Sequence, residues 1–116
     1  MISKRHDIYR TGGIENTSVG VGVSVSARKY WRQMFQSQPQ MLGPNEDINE
    51  IIAADYAAAE PVHRFKLNSG EWGEIRKSRN FYFVGVIRSN SRHDVIVMQP
   101  TWKVVREDIR QKRLES

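Results

Sequence analysis

The sequence predicts a mainly β protein: a small antiparallel β-barrel or sandwich with one or two helical insertions and a helical C-terminal tail. Three observations carry this expectation. Valine alternates with glycine or serine along "TSVGVGVSVS", Thr17 to Ser26, at the period of two that marks a strand. The apolar stretches "RNFYFVGVIRSN" and "DVIVMQ" flank the polar turn "SNSRH", Ser89 to His93, in the pattern of a hairpin. The remaining strand-like stretches follow each other at short spacing, without the strand–helix–strand rhythm of a parallel fold. At 116 residues the chain is one domain. Its β core is expected over about 5–99, an acidic helical insertion over about 39–61, and the tail over 100–116.

The elements follow in chain order. "RHDIYR", residues 5–10, has the length and the β-branched and aromatic content of a first strand. "TGGIENTSVG" reads as a loop, because Gly12-Gly13 and Asn16-Thr17-Ser18 favour turns. The valine alternation then predicts a second strand of about nine residues. Val19, Val21, Val23 and Val25 would share one face, opposite a nearly bare face of glycine and serine. From Arg28 the period changes: Tyr30, Trp31, Met34 and Phe35 recur at helical spacing, and Pro39 closes that helix. "PQMLGPNED" is a connector. A second helix is expected from about Glu46 to Ala59. Asn45 can cap it, Glu46 and Asp47 suit the positive end of its dipole, and Ile48, Ile51, Ile52 and Tyr56 form one stripe before Pro61. "VHRFKL" alternates as a strand, "NSGEWG" turns, "GEIRKS" makes a short strand, and the hairpin follows. After Pro100 the tail "TWKVVREDIRQKRLES" places Trp102, Val105 and Ile109 on one side of a helix.

Composition narrows the function. No apolar run approaches the 18 or so residues of a membrane-spanning helix, so no membrane partner is expected. The opening "MISKRHDIYR" lacks the apolar stretch of a signal peptide, which leads to the expectation of synthesis in the cytoplasm. Without cysteine there is no disulfide framework, thiolate metal site or cysteine nucleophile. The net charge of +5 conceals a split. Residues 39–62 hold Glu46, Asp47, Glu50, Asp55 and Glu60 with no lysine or arginine, so they carry −5. The remainder, with 18 basic and 8 acidic residues, carries +10. Such polarity points to two contacts of different electrostatic character.

Catalytic chemistry finds little support. Arg-His-Asp occurs at Arg5-His6-Asp7 and again at Arg92-His93-Asp94, but neighbours on a strand point to opposite faces, so neither His–Asp pair can act internally. His63 shares the apolar phase of its strand with Phe65 and Leu67 and reads as a half-buried, hydrogen-bonded side chain. Three scattered histidines give no metal-ligand spacing. "GGIENTS" lacks the lysine of a phosphate-binding loop. No catalytic, cofactor-binding or metal-binding residues are predicted, and an enzyme is not expected. A second reading is a small basic nucleic-acid-binding β-barrel. Arg28, Lys29 and Arg32 sit among Tyr30 and Trp31, and Arg76, Lys77 and Arg79 precede Phe81, Tyr82 and Phe83, the mixture a single-strand stacking platform uses.

Four stretches together resemble the head–tail connector proteins of tailed bacteriophages, known as head-closure, stopper or head–tail adaptor proteins. They are "RHDIYR", "GVSVSARKYWRQMFQSQ", "AEPVHRFKL" and "IRKSRNFYFVGVIRSNSRHDVIVMQ", in that order over most of residues 5–99. The resemblance departs in the length of the acidic segment, Pro39 to Glu60, and in the basic extension after Pro100. It implies a structural virion protein without a catalytic site. Such a protein forms a homo-oligomeric ring of six or twelve copies between the portal or adaptor protein and the tail proteins, and helps retain packaged DNA. It implies that the segment from about Arg28 to Glu60 lies nearest the DNA channel, with Glu46, Asp47, Glu50 and Asp55 as channel-facing candidates. Gly20, Gly22, Tyr30 and Trp31 are the subunit-interface candidates, the bare face of the valine strand admitting a neighbouring backbone.

Overall fold

The computed structural model describes residues 13–35, 47–111 and Leu114. Their elements are β1 (Ile14–Glu15), β2 (Gly22–Ser24), α1 (Val25–Phe35), α2 (Ile48–Ala58), β3 (Glu60–Lys66), β4 (Trp72–Lys77), β5 (Tyr82–Ile87), β6 (His93–Gln99) and α3 (Trp102–Arg110). The strands form one six-stranded sheet in the order β1-β2-β6-β5-β4-β3. From β3 to β6 it is an antiparallel meander, as the hairpin patterns predict. The expected first strand, residues 5–10, lies outside the described residues.

The sheet is open, and helices cover both of its faces; it is not a closed barrel. The register shows why. Phe83 pairs with Met98 and both enter a core with Ala27 and Trp31 of α1 and Ile52, Ala53 and Tyr56 of α2. Val84 pairs with Val97 and both enter a second core with Val105 and, at its margin, Trp102 and Ile109 of α3. Adjacent strand residues point to opposite faces, so the two cores lie on opposite sides of the sheet. The near-continuous apolar runs of β5 and β6 are the cause. Strands apolar on both faces need cover on both, whereas a small barrel exposes every second residue. A register shift beside Val84 and Gly85 places Ile96 in the second core alongside Val97.

The valine stretch differs most from expectation. Only Gly22–Ser24 is strand. Upstream, the Gly20 amide donates to the Thr17 carbonyl at 3.1 Å, and Gly20 has φ +80°, a left-handed conformation glycine accepts without steric cost. Downstream, Ser24 Oγ accepts from the Ala27 amide at 2.9 Å and so caps α1, while donating to the Ile96 carbonyl at 2.9 Å. Turn and cap break the alternation: Val21 and Val23 are buried, and Val19 and Val25 are exposed. Short β2 pairs with β6 in parallel, Gly22 beside Asp94 and Val23 beside Val95, against the expectation of a wholly antiparallel sheet.

The two insertion helices form close to where their patterns predict. α1 begins three residues before Arg28 because Ser24 caps it. α2 is capped by Asp47, which accepts from the Asn49 amide at 2.9 Å. Thr101 caps α3 through the Val104 amide at 3.3 Å, and Trp102, Val105 and Ile109 face the sheet as the sequence anticipates.

Candidate functional site

The second Arg-His-Asp motif is divided by the sheet, as strand geometry requires. Asp94 lies on the α3 side, where Arg88 Nε meets Oδ2 at 2.8 Å and Arg92 Nε lies 3.5 Å from Oδ1. His93 lies on the other face, its Nδ1 2.7 Å from the Tyr56 hydroxyl. The first motif lies outside the described residues. His63 packs edge-on against Trp102 at 5.7 Å but is exposed, against the half-buried role its strand phase predicts. Among the described residues no group of three or more histidine, aspartate or glutamate side chains is arranged to hold a metal ion.

Around His93 the α2 side of the sheet carries a fixed polar network. Glu74 is buried between two guanidinium groups, Arg64 Nε at 2.7 Å and Arg76 Nε at 2.8 Å. Arg76 also donates to the Tyr56 carbonyl at 2.9 Å and sits 4.3 Å from the centre of its ring. Burial pushes the Glu74 carboxyl up, but the hydrogen bonds from Arg76 and Arg64 outweigh it and hold the group below the usual carboxylate range. Burial pushes the Tyr56 phenol up and the His93 imidazole down. The hydrogen bond between the Tyr56 hydroxyl and His93 Nδ1 links α2 to β6. Glu74 engages both arginines, and Arg76 and His93 each bond Tyr56, so the group acts as a latch tying α2 to the sheet.

The channel-facing candidates hold different positions. Asp47 is engaged as the α2 cap. Glu50 accepts from the Ser18 amide at 2.9 Å and from the Ser18 hydroxyl, which anchors the turn before β2. Asp55 lies on the exposed side of α2, and partial burial raises its carboxyl above the usual value. Glu46 lies outside the described residues. Among the interface candidates, Gly22 and Trp31 are inside the protomer. A Cβ on Gly22 would come within 2.1 Å of Asp94 Oδ1, and Trp31 stacks edge-on against Phe81 at 6.0 Å. Tyr30 is half-buried against both cores. Gly20 has open space about its Cα. The stacking platform of the nucleic-acid reading is likewise internal: Trp31, Phe81 and Phe83 are core residues.

The exposed apolar side chains lie elsewhere. Val19 (49% exposed) and Val25 (46%) bracket β2, while Val62 (42%) and Trp72 (46%) lie on β3 and β4. The strand order puts these pairs at opposite ends of the sheet. Lys66 Nζ stands 5.0 Å from the centre of the Trp72 ring, a cation–π contact at the surface. Sequence reasoning missed Trp72, although a signal existed. It shares its strand phase with Glu74 and Arg76, opposite Gly73 and Ile75, and a tryptophan on a polar phase is a candidate for the surface. Among the described residues no helix is long and apolar enough to cross a membrane. No family model, curated protein or solved structure matches the chain.

Proposed function

We propose that the protein is a non-catalytic assembly subunit: a head-closure, stopper or head–tail joining protein that forms a ring between the portal complex and the tail of a bacteriophage and helps retain packaged DNA. The observation that carries the assembly reading is the set of exposed apolar side chains towards both ends of an open sheet, Val19 and Val25 flanking β2 and Val62 and Trp72 on β3 and β4. A closed ring of identical subunits needs two different, complementary surfaces on each copy, and a two-ended sheet supplies them. The network around Glu74 fits the same reading, because its side chains are engaged with one another in holding α2 to the sheet. The phage assignment comes from the order of the four resembling stretches. The rival reading, a nucleic-acid-binding barrel, needs Trp31 and Phe81–Phe83 at the surface, where Trp31, Phe81 and Phe83 are not.

In this reading Asp55 is, among the described channel-lining candidates, the one placed in neither the α2 cap nor the turn before β2, and a carboxylate there eases passage of DNA by repelling phosphates. The test is native mass spectrometry of the purified protein, alone and with single-stranded or duplex DNA. Discrete rings with weak, salt-labile DNA affinity are expected. A stable monomer that binds DNA tightly at physiological salt overturns the proposal.

A further inference from the structure

The register sets one row of side chains across four strands. Lys66 of β3 stands opposite Trp72 of β4, Trp72 opposite Ile87 of β5, and Ile87 opposite His93 of β6. Directly paired residues project from the same face, and the bond from His93 to Tyr56 marks that face as the α2 side. Tyr56 covers the His93 end of the row, whereas Trp72 is 46% exposed, with Lys66 Nζ 5.0 Å from the centre of its ring. Two residues beyond Trp72, Glu74 faces the same way and is held by both Arg64 and Arg76. One carboxylate serves two guanidinium groups, so a positive charge is left over, and the Arg64 side chain is 62% exposed. The row itself contains no carboxylate. The acids next to it in the chain, Glu71 and Asp94, are engaged by Arg88, Asp94 on the opposite face.

We infer that this shelf binds single-stranded nucleic acid, with a base stacked on Trp72 and the phosphates lying against Lys66 and Arg64. An exposed indole accepts the flat face of any base, and flanking cations follow the strand's backbone. The surplus of positive charge beside the ring selects a polyanion over an apolar partner. Lys66 is carried on a flexible four-carbon stem, so it leaves the ring for a phosphate as a base arrives. The inference goes beyond the assembly reading and holds for a monomer or a ring; it assigns Trp72 to nucleic acid rather than to a neighbouring copy. The site is separate from the stacking platform of the sequence reading, whose Trp31, Phe81 and Phe83 are buried. One aromatic and two cations make a weak site that salt dissociates.

The test is fluorescence polarisation of a labelled oligothymidylate with the full-length protein at low salt, beside native mass spectrometry of the same samples. Trp72→Ala should weaken binding by about tenfold or more, while Trp72→Phe, which keeps a stacking face, should retain most of the affinity. Lys66→Gln should lower the slope of log affinity against log salt by about 0.7, the loss of one phosphate contact. Unchanged urea midpoints separate lost stacking from lost folding; should Trp72→Ala lower its midpoint, the Lys66→Gln slope decides. Unchanged affinity in Trp72→Ala would overturn the inference, because the indole is then not used. Equal affinity for the duplex with oligoadenylate would also overturn it, because phosphates alone are then read. Rings that disperse in Trp72→Ala while oligothymidylate binding persists would overturn it and leave the assembly reading standing. A monomeric wild-type protein whose binding depends on Trp72 would uphold it and remove the assembly reading.

Discussion

Position 85 is glycine because Tyr56 occupies the space a side chain would take. A Cβ there would lie 2.4 Å from the Tyr56 hydroxyl oxygen and 2.8 Å from the ring carbon bearing it. Gly85→Ala should therefore displace Tyr56 from His93 and destabilise the protein by about 1–3 kcal/mol, measured as a lower urea midpoint; an unchanged midpoint would show that α2 shifts freely. The same latch makes stability depend on pH. His93 and Glu74 both have folded-state values below their ordinary ones, His93 through burial and Glu74 through its arginine partners despite burial. Each contributes stability that is present above its unfolded value and lost as the pH falls through the folded one. Urea titrations should show stability declining as the pH drops from 7 through the imidazole range, and declining again in the carboxylate range. His93→Asn should flatten the first decline and leave the second, whereas a wild-type profile flat to pH 4 would contradict the linkage.

At the scale of elements, the hydroxyl of Ser24 decides where β2 ends and α1 begins. It serves two elements at once, accepting from Ala27 and donating to Ile96 of β6. Ser24→Ala should cost about 1–2 kcal/mol, at the upper end for a cap, because a bond to the sheet is lost with it. Asp47→Ala and Thr101→Ala each remove a cap alone and should cost about 1 kcal/mol in the same denaturation assay. Equal losses in all three would show that the tie to Ile96 contributes nothing. The sequence pattern hid this role. Serine on the bare face of an alternating strand and serine at a helix cap are the same residue type, and only the change of period four residues later hints at the cap. α2, α3 and the β5–β6 hairpin were legible, since each carries its own period and its own punctuation in Pro61, Pro100 or the turn from Ser89 to His93.

For the whole molecule, what matters is the pairing of a two-ended sheet with a polarised charge. Val62→Lys changes an exposed residue, so the monomer should fold with an unchanged circular dichroism spectrum while rings disappear from native mass spectra. Persisting rings would move the interface away from β3. Asp55→Lys, outside the latch and the caps, should alter DNA retention or ejection and leave ring assembly intact; loss of assembly would argue that α2 faces a neighbour rather than a channel.

By itself the sequence determined the local structure: the meander from β3 to β6, the helices after β2 and before β3, the helical tail, the separation of His93 from Asp94, and the acidic character of the segment around α2. Each follows from periodicity, capping or turn chemistry that a few neighbouring residues contain. Only the tertiary structure decided that the sheet stays open between helical layers, that β2 lies parallel to β6, that Trp31 and Phe81 are core while Trp72 is surface, and that the valines of "TSVGVGVSVS" divide between the two. These outcomes depend on which faces meet across long stretches of chain. An apolar residue is buried only where a partner surface exists to cover it, and an element's own pattern does not say which surface arrives.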